Sequence, residues 1–421
     1  MSKKRISKVA PYPKAIQDSF INNLEGMETF VKNVEPIVAK YDQKAIKVTE
    51  YMKKAIKEII TSKVKPNIEV KQGEGRNLQI DEGKVEKTTE NIMQILIDHK
   101  RLPRMTVGQV ELLYRSAFVM LTAFFDYLIH DVIHCYYIMY PESLSDKDKE
   151  LSISLSDLKL CADRDEAMDM IVDKKVDLIL YGNLVSQKTF LKDQLNIDIG
   201  ESVVNWDIIN ESVERRNVIV HNDGIVNRRY LKSIEISIVP EGRGLKEGER
   251  LVISTEYFKR VYEEILIAGV AIAQSCWRKW RKDDLDEADK SLIFIIYNLL
   301  MKEEWKVVEK IGYLSKNMKV CDASSRNMLD INYCQSLKWQ DKKAELKVAL
   351  DKFDESNLSP KFKVALAALR SDRENFYEYA QQAVAISEID KLAFNEWPLF
   401  RELRQDTEYK EKIEAILSKK K

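Results

Sequence analysis

Glu214-Arg215-Arg216-Asn217-Val218-Ile219-Val220-His221-Asn222-Asp223-Gly224 is the stretch on which the fold and the chemistry of this chain turn. Trp206, Ile209 and Val213 lead into it, and Ile219 and Val220 continue the same helical spacing. Asn222, Asp223 and Gly224 supply stop chemistry, because Asn and Gly accept the left-handed backbone that ends helices. The spacing therefore predicts a helix over about residues 207–221, with Arg216 and His221 in its last turns. Asn217 and His221 lie four apart and share a face. The long stem of Arg216 can bring its guanidinium to the same ligand. A guanidinium holds phosphate oxygens by paired hydrogen bonds and stabilises charge growing in a transition state. An imidazole near neutrality can take a proton from a hydroxyl or give one to a leaving oxygen. The plainer reading is a helix end whose solvated histidine favours the helix dipole.

The 421 residues are enough for two or three domains, and 45% hydrophobic with 32% charged residues suits a helix-rich globular chain. Lys+Arg and Asp+Glu both number 68, so no global basic field attracts nucleic acid and any contact with it must be local. The five cysteines show neither C-x-x-C pairing nor zinc spacing, which predicts reduced thiols in a cytoplasmic protein. No apolar segment follows Met-Ser-Lys-Lys-Arg as a signal peptide would require, and no uninterrupted apolar run reaches bilayer length.

Residues 13–63 read as helical, with one apolar stripe from Ile16 to Val38 and another from Ile46 to Ile60. Pro66, Gly73, Gly75 and Gly83 break the pattern, and a short hairpin around Ile68–Val70 and Leu78–Ile80 is expected, then a short helix over 88–99. Thr106-x-x-Gln109 reads as a capping box opening a long helix to about Ile138, apolar nearly all round. On it Asp126, His130 and His134 recur at i, i+4 and i+8. That stripe is either a set of metal ligands or a hydrogen-bonded polar stripe facing a cleft. Shorter helices follow. Beyond the motif helix, residues 234–238 alternate with period two, and with 250–253 they predict a small β-hairpin. A capped helix over about 255–282 closes this part.

Arg-Asn-x-x-x-His, set in this order of helices over about residues 105–282, resembles the signature of the HEPN superfamily, and especially its RiboL-PSP-like branch. The resemblance implies a helical bundle and a metal-independent endoribonuclease without cofactors, in which RNA is cleaved by attack of its own 2′-hydroxyl. It implies a homodimer whose paired motif helices form one composite site. Arg216 and His221 would be catalytic, with Asn217 orienting His221 or the phosphate and Asp126 matching the acidic residue such proteins often carry on their first helix. Arg215, Arg228, Arg229 and Lys232 are candidates for a phosphate-binding rim. The family context points to a toxin or effector of bacterial antiviral defence acting on tRNA or mRNA. A non-catalytic scaffold on the same bundle is the alternative, and a metal enzyme at Asp126, His130 and His134 a third.

Residues 283–421 change texture. The stretches 292–313, 329–353 and 362–386 each pair two apolar helices across a short charged link, at about the tetratricopeptide period. They predict a helical-repeat module that docks a partner, such as an antitoxin, sensor or regulator, and carries no chemistry of its own. The expected division is thus 1–104, 105–282 and 283–421. Trp277-Arg278-Lys279-Trp280-Arg281-Lys282 could stack bases, but reads better as an amphipathic helix end tucked against the repeats.

Overall fold

The computed structural model describes residues 12–64, 82–98, 108–144, 153–181 and 183–419. The expected hairpin at 68–80, His99 and Thr106 lie outside them. The chain is mainly α-helical, with 17 α-helices and essentially no strand among the described residues. Residues 234–238 and 250–253 do not pair as a β-hairpin. Single 3-10 turns form at Ile236–Ile238 and Gly242–Gly244, and the one isolated bridge joins Ile225 to Arg250. The reason is burial. Val239, Leu245 and Leu251 pack into a small cluster with Val218, Val226 and Tyr230. The backbone of 248–251 bonds instead to residues 224–226, just after the motif helix.

Helix α1 (Pro13–Val64) is a single long helix, and α2 (Glu82–Asp98) packs along it. Helix α3 (Gln109–Met139) starts two residues later than a capping box at Thr106 and Gln109 would place it, and Gly108 at its N-cap offers no side chain. Asp42 of α1 takes that role, its carboxylate accepting from the amides of Gln109 and Val110 at 2.8 and 2.9 Å. Short helices α4 (Leu155–Leu158), α5 (Arg164–Leu180) and α6 (Leu184–Asp193) lead to α7 (Trp206–Asn222), the motif helix. Asn205 caps its start, and Asp223 ends it in the left-handed conformation, φ 49°. After α8 (Arg228–Ser233) comes α9 (Thr255–Trp280).

Helices α3 and α9 run parallel, with Tyr114 against Phe258 at one end and Tyr136 near Trp280 at the other. Helices α1 and α7 run antiparallel to them. On α1, Phe20 packs where a Cβ on Gly269 would overlap its ring, which is why glycine stands there. On α7, Arg216 meets Asp126 while Asp223 meets Arg115. Among the described residues α3 alone is long and apolar enough to cross a bilayer, and half of its most apolar window is buried in the bundle.

The remainder folds as helical hairpins: α10 (Leu285–Met301) with α11 (Trp305–Ser315), α12 (Ala323–Trp339) with α13 (Lys343–Leu350), and α14 (Pro360–Arg370) with α15 (Arg373–Ala385). Helices α16 (Lys391–Glu396) and α17 (Tyr409–Ser418) close the array. Each hairpin turns through one left-handed residue, Glu303, Asp341 and Ser371, and Ser387 repeats the device after α15. The following amide then bonds back to Leu299, Leu337, Ala367 and Ala383 respectively.

The apolar core does not follow the divisions expected at 104 and 282. One continuous core takes Phe20 and Leu24 from α1, most of α3 and α9, then Leu292, Ile296 and Leu300 from α10 and Ile311 from α11, and ends at Leu329. A second core runs from Ile331 to Ile416. Helix α12 belongs to both. Arg278, within the Trp-Arg-Lys-Trp-Arg-Lys run, is buried and bonds Asp289 of α10 and the Lys319 carbonyl, as the tucked-helix reading expects.

Candidate active site

Three of the four expected catalytic side chains stand on α7, and its antiparallel packing against α3 brings the fourth to them. Arg216, Asn217 and His221 line one open groove together with Asp126, in a cavity of about 680 Å³. The Arg216 guanidinium donates from Nη2 to Asp126 Oδ2 at 3.0 Å. Its Nε–H is shielded from water and makes no hydrogen bond to any described residue. Half of the fork is thus committed to the carboxylate, and a buried donor remains for a ligand. Burial pushes the Asp126 carboxyl above the usual carboxylate range, and the Arg216 charge pulls it back part of the way. His221 is exposed in the last turn of α7, on the groove.

The expected rim separates into different environments. Arg229 is exposed and lines the groove. Arg228 is exposed but bonds Glu247 at 2.9 Å, and Lys232, exposed in the last turn of α8, is not among the lining residues. Arg215 is not a surface residue at all. Adjacent helical residues point about 100° apart, so the one beside Arg216 turns into the bundle. There it is fully buried. Its Nε donates to Glu211 at 2.7 Å, its two terminal nitrogens donate to Glu241 at 3.0 and 2.8 Å, and its face covers Tyr257. Tyr230 and Tyr257 both donate to Glu211. Burial alone would lower the Arg215 pKa, but Glu241 and Glu211 hold it above the ordinary guanidinium value. This buried cluster fixes the roll of α7 and so decides which of its faces meets the groove.

The Asp126, His130, His134 stripe does not converge. Asp126 holds Arg216, His130 Nδ1 lies 3.1 Å from Asp131, and His134 Nε2 lies 3.5 Å from Asp173. The two imidazoles stack. Asp131 beside it raises the His130 pKa, against the opposing effect of burial. Among the described residues no group of three or more His, Cys, Asp or Glu side chains is placed to hold a metal ion.

The opposite wall of the groove was not legible in the sequence. Asp177, Tyr181, Asn183 and Gln187 come from the α5–α6 turn, and Asn227 from the cap of α8. Asn183 and Asn227 carry the only sequence signal, as helix N-caps, and both do cap. Comparison with known proteins finds no matching family model, no matching curated protein and no matching solved structure.

Proposed function

We propose that the groove on α7 cleaves RNA without a metal, as a HEPN-type endoribonuclease. The observation that carries this reading is the meeting of Arg216, Asn217 and His221 in one groove, with Asp126 holding Arg216 in place. The RNA 2′-hydroxyl attacks the adjacent phosphorus. A new P–O2′ bond forms, the P–O5′ bond breaks, and the products are a 2′,3′-cyclic phosphate and a 5′-hydroxyl. His221 takes the proton of the attacking hydroxyl or gives one to the leaving oxygen. Arg216 binds the phosphate through its remaining donors and offsets the charge that builds there. Asn217 orients the phosphate or His221, and Arg229 extends the electrostatic rim.

A second copy of the chain supplies the second histidine. Val220 on α7, Tyr127 on α3 and Tyr181 and Val185 on the far wall are all exposed around the groove, and large apolar side chains gathered at a polar site favour an isologous contact there. The bundle and the tetratricopeptide-like hairpins suit an effector of bacterial defence in the cytoplasm. Its tRNA or mRNA target meets the groove, and its antitoxin, sensor or regulator meets the hairpins.

Purified protein incubated with RNA and excess EDTA tests this. Cleavage with cyclic phosphate ends is expected, and it should vanish in His221→Ala. Wild-type-like cleavage by His221→Ala ends the catalytic reading. An inert wild-type protein points to the scaffold alternative, and cleavage abolished by EDTA to a metal enzyme.

A further inference from the structure

Asp42 caps the first turn of α3, so everything in α1 after it extends past the start of that helix. Residues 43–64 continue for about 33 Å, accompanied by α2. On one side of this arm Ala45, Met52, Ile56 and Ile60 are half-buried, and Val85, Thr89 and Met93 of α2 are buried. The opposite side carries Lys40, Lys44, Lys47, Tyr51 and Lys54, all exposed and spaced three or four apart along about 21 Å of helix. None of these lysines forms an ion pair with a described residue, and Tyr51 among them is 73% exposed.

The root of the arm and the carboxyl end of α7 meet the same end of α3. Arg115, about 9 Å along α3 from Gln109, bonds Asp223 just beyond His221, and Arg250 bonds the same carboxylate. Arg115 and Arg250 thus share the Asp223 carboxylate towards the same end of α3 that Asp42 caps.

We propose that the outward face of this arm, Lys40, Lys44, Lys47, Tyr51 and Lys54, binds the single-stranded RNA that flanks the cleaved position, with the lysines on phosphates and Tyr51 under a base. The proposal rests on the ribonuclease reading of the groove. With a net charge of zero the chain has no global field, so RNA must be held by a local row of this kind. Stacking on an exposed aromatic between cations is tolerant of sequence. Ile37, Tyr41, Val48 and Ile59 are also exposed along the flank of the arm, so a lipid surface is the competing ligand, and vesicle binding in the test separates the two.

The test uses the full chain carrying His221→Ala, so that RNA stays intact. Its affinity for a labelled oligouridylate of about twenty nucleotides, longer than the roughly 4–16 that such grooves hold, is measured by anisotropy. Measurements run between about 50 and 200 mM salt, with and without Lys40, Lys44, Lys47 and Lys54 all changed to Gln. The quadruple variant is expected to bind on the order of ten- to a hundred-fold more weakly, and its salt slope should shrink by about 3, at about 0.7 per phosphate. Equal affinity with an equal slope overturns the proposal, as does loss of binding to phosphatidylserine vesicles with RNA binding intact. Should the variant misfold, lysine acetylation of the His221→Ala chain replaces it. RNA should protect Lys44, Lys47 and Lys54, and absence of protection overturns the proposal. Cleavage by the unmodified chain reports on the groove separately. A chain that cleaves while the variant binds normally loses only the arm, and one that protects its lysines without cleaving loses only the groove.

Discussion

Arg216 on α7 and Asp126 on α3, 90 positions apart in the chain, meet at 3.0 Å across the groove. The contact aims the guanidinium, because a fork held at one terminal nitrogen presents its other donors in a fixed direction. It also ties the motif helix to the most apolar helix of the bundle.

Replacing Asp126 by Asn separates function from stability. Burial raises the folded pKa of Asp126, so the folded state binds its proton more tightly than the unfolded state. Stability then falls as pH rises from the ordinary aspartate range through the raised value, and the ionised group is a net burden at neutral pH. Asp126→Asn is expected to melt at or above the wild-type temperature at pH 7, with that advantage shrinking below about pH 4. Cleavage should fall because Arg216 is no longer aimed. Calorimetry at both pH values together with a cleavage assay checks this.

The two adjacent arginines should behave oppositely. Arg216→Ala is expected to cost less than about 1 kcal/mol, since its ion pair is partly exposed. It should nevertheless abolish cleavage. Arg215→Ala leaves Glu211 and Glu241 without their cation and should cost on the order of 3–5 kcal/mol. Urea titration of both variants distinguishes them, and equal losses would contradict the assignment of Arg215 to the bundle interior.

Dimerisation and cleavage should be lost together in Val220→Glu, which places a charge on the exposed apolar rim beside His221. Light scattering measures the first and an RNA assay the second. A monomeric wild-type protein with full activity would contradict a composite site.

A fragment of residues 1–282 is expected to be insoluble. It would expose the faces of α1 and α9 that Leu292, Ile296, Leu300 and Ile311 cover. Recovery of a soluble, folded fragment would show that the bundle closes without α10 and α11.

Much of this fold was readable from periodicity. Helix α7 was expected within a residue of each end, because its apolar residues keep helical spacing and Asn222-Asp223-Gly224 carries local stop chemistry, while its Asn205 cap was not foreseen. The charged links within the hairpins were equally local. What failed was tertiary. The alternation at 234–238 carried a strand signal, yet burial against Val226 and Tyr230 decided its shape. Arg215 and Arg216 are indistinguishable by type, and only the direction in which α7 rolls tells them apart. Asp42 as the cap of α3 lies 67 positions from its partner, beyond any local pattern.

Helix α12 has a consequence of its own. Leu329 sits in one core and Ile331 in the other, with only Asp330 between them. Melting either core frays a helix that the other requires, so the two should denature as one cooperative event. Scanning calorimetry of the full chain would then record one transition, and a strain that a partner imposes on the hairpins would be felt in the bundle that carries the groove.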